Sequence, residues 1–222
     1  NNPLVEIIKL TRNMGKTKET KAIKQCGIFE IDKLSSNFNN LIIELDKRTN
    51  NLVIEETKRA YQEKLANTDP LTGAYNRRYL NEFSTDYLKI VKREKNDFSL
   101  LVVDLDDFKR INDTYGHEGG DEVLIEFVKI SRDTIRENDF IVRFGGDEFI
   151  ILLPNTTMNN AKILANKIIN NINEHNMRSK INFSISIGIA GYEANDLNID
   201  DIILRADNSL YEAKKAGKNR AI

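Results

Sequence analysis

Apolar and polar residues alternate with two different periods along the C-terminal two thirds of the chain. Four short segments have the pattern of buried strands: 98–103, 140–144, 148–153 and 182–191. Apolar residues at spacings of three and four predict helices over about 77–92, 108–115, 122–136, 161–174 and 202–215. From residue 98 the order is βααββαβ with a final helix. This order predicts an α+β fold of the palm type, in which helices cover a mainly antiparallel sheet.

The N-terminal part has a longer-range apolar pattern. The a/d stripe of a coiled coil is formed by Ile31, Leu34, Phe38, Leu41 and Leu45. The stripe weakens beyond residue 45, and a second stripe in an offset register contains Ile54, Tyr61 and Leu65. Such an offset is a stutter, where paired helices can repack. One long helix folded against its own domain fits the same pattern, so both interpretations stay open.

Turn-forming residues separate these two patterns. The run DPLTG at 69–73 is the kind of punctuation that lies between domains. Near the start, Pro3 and the apolar residues after it predict a short helix that Gly15 ends, and a Lys-rich connector follows. We therefore expect a helical segment over 1–50, a linker helix over 51–68 and a C-terminal domain over 69–222.

Composition excludes several classes of protein. Hydrophobic residues make up 40% and charged residues 30% of the 222 residues, which excludes a disordered tail and an integral membrane protein. A net charge of −1 argues against a dedicated nucleic-acid binder. The single cysteine, Cys26, excludes a disulfide framework and a cysteine-rich zinc site. The chain has neither an initiator Met nor a signal-peptide pattern, which predicts that it is part of a longer protein.

Two carboxylates stand at strand ends. Asp104 ends the apolar run at 98–103, and Asp147 lies between the two strands on either side of residue 146. If those strands are neighbours, the carboxylates converge at one edge of the sheet and form a hard-oxygen site for Mg²⁺ or Mn²⁺. The alternative is that each aspartate only forms a turn.

The glycine pair between the same strands allows close approach to the backbone. Gly145 and Gly146 place no side chain at the hairpin tip, so a ligand can reach the main chain there. A type I′ turn, which requires φ > 0 at both central residues, explains the pair equally well. A turn of that type does not explain the acids that follow, Asp147 and Glu148.

The sequence GGDEF at 145–149 resembles the signature of GGDEF domains, the diguanylate cyclases of bacteria. Other motifs of that family are matched in the family's order: DPLTG with NRR at 76–78, DLDDFKRIND at 104–113, GHEGGD at 116–121, and AD at 206–207 with YEAKKAGKNR at 211–220. The resemblance implies an α+β fold of the nucleotide-cyclase type over 69–222.

The resemblance also implies an activity. Two GTP molecules condense into cyclic di-GMP and two pyrophosphates where two subunits face each other, each subunit holding one GTP. Two Mg²⁺ (or Mn²⁺) ions per active site serve as cofactors. The metal ligands are Asp104, the carbonyl of Leu105, Asp147 and Glu148. Of these residues, Asp104, Asp147 and Glu148 are also catalytic, and Glu148 acts at the attacking 3′-hydroxyl or on a metal.

The implied GTP-binding residues fall into three groups. Asn112 and Asp121 match the positions that bind guanine, and their alternatives are a helix cap and a surface acid. Gly145 and Gly146 leave room at the hairpin. The β- and γ-phosphates are held by the N–H groups of Phe108 and Lys109 and by the ammonium groups of Lys214 and Lys218. The spacing of these two lysines predicts that they share one helical face, and many relatives have Arg at the second position.

An Arg-x-x-Asp element precedes the hairpin. Arg136 and Asp139 match the family's inhibitory site, where cyclic di-GMP binds away from the active site and inhibits the enzyme. As a bare pattern, an Arg at a helix end followed by an Asp at a strand start is common.

Residues 1–50 resemble a HAMP module, the two-helix relay that follows transmembrane helices in bacterial receptors. The match rests on Pro3-Leu4, the connector, and EIDKL at 30–34 followed by Phe38. It implies a homodimer through the N-terminal helices and a parent protein anchored in the inner membrane upstream of residue 1, of which this chain is a cytoplasmic portion. A catalytically silent cyclic di-GMP receptor and a purely structural dimerisation module are the alternative functions.

Overall fold

A computed structural model describes residues 29–222, and the predicted helix before Gly15 and its connector lie outside this range. The chain divides between Glu63 and Lys64 into two compact units. The first helix, α1, covers Phe29–Asn67 and continues without a break through the boundary predicted near residue 50. In the part of the chain that is described, no helix is both long and apolar enough to span a membrane.

Helix α1 leaves its apolar residues exposed. Leu34, Leu41 and Leu45 of the first stripe are 54%, 50% and 45% exposed, and Ile54 and Leu65 of the second are 64% and 58% exposed. Pairs of opposite charge one turn apart, such as Glu44 with Arg48 and Arg59 with Glu63, line the helix surface. These exposed pairs contribute little to stability. The five apolar residues keep 45% to 64% of their surface exposed, and burial of that area against a partner would stabilise the helix.

The second unit is built on a five-stranded sheet in the order β1-β3-β4-β2-β5. Its helices and strands are, in chain order, β1 (Tyr75–Asn76), α2 (Arg77–Glu94), β2 (Phe98–Leu105), α3 (Phe108–Thr134), β3 (Phe140–Gly145), β4 (Glu148–Pro154), α4 (Met158–Asn176), β5 (Ile185–Gly191) and α5 (Ile199–Lys215).

The strand pairing confirms the predicted α+β fold and its mainly antiparallel sheet. Strand β2 lies antiparallel to both β4 and β5, and β3 is antiparallel to β4. The only strand that the sequence analysis missed within the described range is β1, which pairs in parallel with β3 through two residues. Two residues are too few to produce a recognisable alternation.

Both faces of the sheet are buried, and this explains the continuous apolar runs of its central strands. Phe127 of α3 packs with Phe149 in the core on one face, where α4 also contributes Ile168. On the other face, Leu80 of α2 and Ile202 of α5 belong to a second core. The two cores fix the ends of β2 and β4, where the candidate site lies.

Helix α3 differs from its prediction. The sequence indicated separate helices over 108–115 and 122–136 with a turn between them, but one kinked helix covers Phe108–Thr134. Only Gly116 leaves the helical conformation, with φ 75° and ψ 174°, which glycine adopts without steric cost. Residues 117–121 are therefore helical, and Gly120 lies against Asn112 in the first turns of the same helix.

Candidate active site

The acidic edge of the sheet is set by the register of β2 and β4. Asp104 near the end of β2 lies directly opposite Glu148 at the start of β4. The N–H of Leu105 donates to the carbonyl oxygen of Asp147 over 3.3 Å. The pairing therefore brings Asp104 to the same edge as Asp147 and Glu148, which lie more than forty residues later in the sequence, as the strand arrangement predicted.

A lysine balances part of this negative charge. Burial raises the pKa of Asp104 above its usual value, and the negative charges of Asp147 and Glu148 raise it further. The ammonium of Lys214, 2.7 Å from Asp104 Oδ2, acts in the opposite direction. Lys214 therefore offsets part of the effect that burial and the neighbouring acids have on the pKa of Asp104.

The donor chemistry of this edge fits the predicted metal ions. Carboxylate and carbonyl oxygens are the ligands that Mg²⁺ and Mn²⁺ favour, and Asp104, Leu105, Asp147 and Glu148 supply only such groups. Over residues 29–222 no three His, Cys, Asp or Glu side chains are already arranged around a common point. Three carboxylates face one ammonium group at this edge, and this excess of negative charge favours binding of a divalent cation.

The hairpin tip is open, but its turn is not of type I′. Neither Gly145 nor Gly146 has a positive φ, so the alternative explanation of the glycine pair is wrong. The pairing of β3 and β4 shifts by one residue between Arg143 and Gly145, which forms a bulge. A Cβ atom at Gly146 would have no atom within 4 Å. The space in front of the tip is therefore free for a ligand.

The N-terminus of α3 points its first N–H groups into the site. Asp107 occupies the cap position with φ 55°, and its side chain makes no capping hydrogen bond. Its Oδ1 lies 2.6 Å from Nζ of Lys218 instead. Within the described structure the N–H groups of Phe108 and Lys109 have no acceptor. Unbonded N–H groups and the helix dipole favour an anion at this position.

The two predicted phosphate-binding lysines reach the site by different routes. Lys214 lies in the last turn of α5, but the helix ends at Lys215, so the prediction that both lysines share one helical face is wrong. Gly217 has φ 112° and Lys218 has φ 60°, which turns the chain away from the helix axis. Both ammonium groups nevertheless contact carboxylates at the end of β2.

Helix α3 carries both predicted base-binding residues, one on each side of its kink. A Cβ atom on Gly120 would lie 1.9 Å from Oδ1 of Asn112, so the glycine allows the two turns to touch. Asp121 is the next residue. The side chains of Asn112 and Asp121 make no hydrogen bond to any residue described, which leaves an amide and a carboxylate available to the edge of a base.

The Arg-x-x-Asp element lies in the turn between α3 and β3. Asp139 Oδ2 accepts a hydrogen bond from the backbone N–H of Arg136 over 2.9 Å. Burial raises the pKa of Asp139, and the contact with Arg136 opposes that increase. The guanidinium of Arg136 is exposed and has no partner in the described part of the chain, so it can bind a ligand without breaking an existing contact.

Two residues whose polar contacts hold the site were not predicted from the sequence. Arg143 of β3 binds both Asp69 and the carbonyl of Gly146. The sequence hinted at a role for Arg143 only by placing a basic residue within an otherwise apolar strand. Asp106 is buried and accepts three hydrogen bonds, although it follows a strand in the manner of an exposed turn residue.

Comparisons with known proteins agree with this arrangement. The family model described as "Diguanylate cyclase, GGDEF domain" matches residues 66–220. The chain therefore belongs to the GGDEF family. It is 38% identical over 164 residues to diguanylate cyclase DgcM of Escherichia coli K12, an alignment that covers 72% of this chain and 39% of DgcM. It is 35% identical over 163 residues to the response regulator PleD of Caulobacter vibrioides, covering 71% of this chain and 36% of PleD.

Solved structures extend the similarity to α1. The coiled coil and GGDEF domain of DgcB from Caulobacter crescentus, in complex with cyclic di-GMP, matches with a TM-score of 0.70 at 25% identity, covering 82% of this chain and 97% of DgcB. The active GGEEF domain of a diguanylate cyclase from Vibrio cholerae matches with a TM-score of 0.62 at 37% identity, covering 66% and 94%. The chain spans less than half the length of DgcM and PleD.

Proposed function

We propose that this chain is a diguanylate cyclase, which condenses two GTP molecules into cyclic di-GMP and two pyrophosphates. The observation that carries the proposal is the edge where Asp104, Asp147 and Glu148 meet the ammonium of Lys214. Paired acids beside a cation at an open hairpin suit a reaction on a phosphate. The named diguanylate cyclases among its relatives support the same activity.

The phosphates of GTP are held by cations and N–H groups. In the proposed complex, Lys214 and Lys218 exchange their present carboxylate partners for oxygens of the β- and γ-phosphates. The N–H groups of Phe108 and Lys109 donate to the same phosphates from the start of α3. Since both ammonium groups already lie at this edge, binding requires little reorganisation.

The acids hold the cofactor and accept a proton. Asp104, the carbonyl of Leu105 and Asp147 would hold Mg²⁺ or Mn²⁺, with Glu148 as a further ligand of the second ion. The metal, when bound, supplies positive charge that stabilises the phosphate being attacked. Glu148 is exposed at the hairpin and can accept the proton of the 3′-hydroxyl from the facing nucleotide.

Guanine specificity comes from the kink of α3. The amide of Asn112 donates to O6, and the carboxylate of Asp121 accepts from N1–H and the N2 amino group. Adenine presents a donor where guanine presents O6, so ATP would leave polar groups of the protein unpaired.

The reaction requires two subunits, because each carries one GTP site and the attacking hydroxyl comes from the other nucleotide. The exposed stripe of α1 supports a parallel homodimer through these helices. In the proposed full-length cyclase, a signal from the HAMP-like segment shifts the paired helices between two registers. The change of register between Leu52 and Ile54 is the proposed switch. The membrane anchor upstream of residue 1 is part of this proposal.

Product binding at Arg136 and Asp139 would limit the activity. The guanidinium can donate two hydrogen bonds to O6 and N7 of guanine, and the carboxylate can accept from the opposite edge. The structure of DgcB was solved in complex with cyclic di-GMP, which supports binding of this nucleotide by a related domain. Binding outside the active site would act as feedback inhibition.

The test is to incubate the chain with GTP and Mg²⁺ and to separate the products by chromatography. We expect cyclic di-GMP from GTP and no cyclic dinucleotide from ATP. Asp104→Asn should reduce the rate at least 100-fold, by the loss of an electrostatic contribution of about 3 kcal/mol. Asp133→Asn changes an exposed acid of α3 outside the site and is the matched control. Tight binding of cyclic di-GMP without turnover by the unaltered chain would favour the receptor alternative.

A further inference from the structure

One buried carboxylate joins three parts of the candidate site. Asp106, 6% exposed, follows the end of β2. Its Oδ1 accepts from Oγ of Ser186 over 2.7 Å, and its Oδ2 accepts from Oγ of Ser184 over 2.7 Å. The N–H of Asn219 also donates to Oδ2, over 3.1 Å. The carboxylate therefore holds the C-terminal tail against the ends of β2 and β5.

The tail has an unfavourable backbone conformation where Asp106 holds it. Gly217, Lys218 and Asn219 have φ values of 112°, 60° and 49°. The left-handed conformation is unfavourable for a residue with a side chain, so two consecutive residues in it persist only where the surroundings fix them. Past this point the carbonyl of Arg220 accepts from the N–H of Ile187. Asp106 thus binds the left-handed segment itself, at Asn219, before the tail pairs with β5.

This attachment, together with the hydrogen bond from the N–H of Lys218 to the carbonyl of Ala213, fixes the backbone of Lys218 and leaves its side chain able to exchange partners. The side chain of Lys218 is 40% exposed, and its ammonium contacts Asp107, the neighbour of Asp106, over 2.6 Å. Asp106 binds the main chain of Asn219 instead. One aspartate therefore fixes the tail and the next pairs with the ammonium. A phosphate can replace Asp107 without any movement of the tail.

We propose that Asp106 is a positioning residue that sets Lys218 for the β- and γ-phosphates of a nucleoside triphosphate. The inference rests on the proposed function for the identity of the ligand. It assigns to Asp106 no contact with the substrate and no metal. Its effect is confined to the phosphate end of the nucleotide, because Asn112 and Asp121, which would bind guanine, lie on α3 and not on the tail.

The test compares two nucleotides that share guanine and differ in the distal phosphates. Binding of α,β-methylene GTP and of GMP is measured by calorimetry for the unaltered chain, Asp106→Asn, Lys218→Ala and the double variant. Asp106→Asn should weaken binding of the GTP analogue about tenfold, as for loss of one charge-assisted hydrogen bond. Binding of GMP should change less than about twofold. Lys218→Ala should also weaken binding of the GTP analogue. In the Asp106→Asn background, the change in the logarithm of the dissociation constant should be less than half of the change that Lys218→Ala causes alone.

A matched control separates positioning from general loosening of the fold. Asp196 is also 6% exposed and pairs with Arg205, away from the tail. Asp196→Asn should leave the ratio of the two affinities unchanged. Equal losses for the GTP analogue and GMP in Asp106→Asn, or full additivity with Lys218→Ala, would overturn the proposal. If Asp106→Asn does not fold, Ser184→Ala removes one donor to the carboxylate and should move the same ratio in the same direction. An unchanged ratio in that folded variant would also overturn it.

The binding measurements test the positioning role of Asp106, and the turnover measurement tests the proposed function, so either proposal can be refuted without the other. If the unaltered chain makes no cyclic di-GMP but the affinity ratio depends on Asp106, the proposed function falls and the positioning role stands. If it makes product and the ratio ignores Asp106, only the positioning role falls.

Discussion

Arg143 joins the turn before β1 to the tip of the β3–β4 hairpin by binding Asp69 and Gly146 at once. Its Nη1 lies 3.1 and 3.2 Å from the two carboxylate oxygens of Asp69. Its Nε and Nη2 donate to the carbonyl of Gly146 over 3.0 and 2.8 Å. Both side chains of the pair are largely buried, at 19% and 16% exposure. The hairpin that carries Asp147 is thus held from outside its own two strands.

The first prediction concerns the stability that Asp69 provides. Burial raises the pKa of Asp69, but hydrogen bonds from Thr72 and Arg143 outweigh it and leave the pKa below its usual 3.8. Asp69→Asn should lower the free energy of unfolding by about 1–2 kcal/mol at pH 7. Because the folded pKa is depressed, this contribution is complete above the unfolded value and is lost as the pH falls through the folded one. Urea unfolding at several pH values measures it.

Asp86→Asn is the control for this measurement. Asp86 pairs with Lys89, but the two side chains are 82% and 71% exposed, so the change should stay within about 0.5 kcal/mol. A loss for Asp69→Asn that is equally large well below pH 3.8 would contradict the assignment.

The second prediction concerns the charge balance at Asp104. Lys214→Ala should raise the pKa of Asp104 further, because it removes the cation that opposes burial. Glu148→Gln should lower the same pKa, because it removes a nearby negative charge. The ¹³C shift of the Asp104 carboxyl, titrated without divalent metal, reports both changes. Lys215→Ala, one residue along and paired with Glu212, should leave the pKa unaltered. A shift of the same sign in both site variants would refute this charge balance.

Some parts of the fold and the candidate site could be predicted from the sequence, and others could not. Strands β2 and β4 were predictable because they are buried on both faces and therefore apolar throughout. The acidic edge followed from their pairing, and the GGDEF motif indicated the same residues. The continuity of α3 was not predictable, since Gly116 is compatible with a turn and with a kink. Strand β1 and the partners of Arg143 depend on tertiary contacts, which no local pattern encodes.

The position of Lys218 shows the same limit. A spacing of four residues predicts one helical face only if the helix continues, and α5 ends at Lys215. The glycine at 217 was visible in the sequence as a helix-ending residue. What the sequence did not show is that Asp106 would return the tail to the same edge of the sheet.

The third prediction concerns recognition of the base. In Gly120→Ala the new methyl group would overlap Oδ1 of Asn112, the end of a side chain that can rotate away. The fold should therefore persist, while the preference for GTP over ATP falls at least tenfold as Asn112 leaves its position. Competition between ATP and a labelled GTP analogue measures the preference. Ile125→Ala, which changes an exposed residue of the same helix outside the site, should leave it unchanged. Full discrimination by Gly120→Ala would show that Asn112 does not bind the base.

The fourth prediction concerns feedback. Arg136→Ala should raise the concentration of cyclic di-GMP that halves the rate at least tenfold, because a bidentate contact to guanine is lost. The rate without added product should not change. Arg178→Ala removes another exposed arginine and serves as the control. If Arg136→Ala and the unaltered chain are inhibited at the same product concentration, the product binds elsewhere.

The central claim is that two copies of this chain join two GTP molecules, and the initial rate of cyclic di-GMP formation against chain concentration tests it most directly. In the range where the chain is mostly monomeric, the rate per chain should rise with concentration. Leu41→Lys with Leu45→Lys should lower that rate and the dimer content together, whereas Ile43→Lys, on the opposite face of α1, should lower neither. A rate per chain that is independent of concentration in demonstrably monomeric protein, or no cyclic di-GMP at any concentration, would contradict the account.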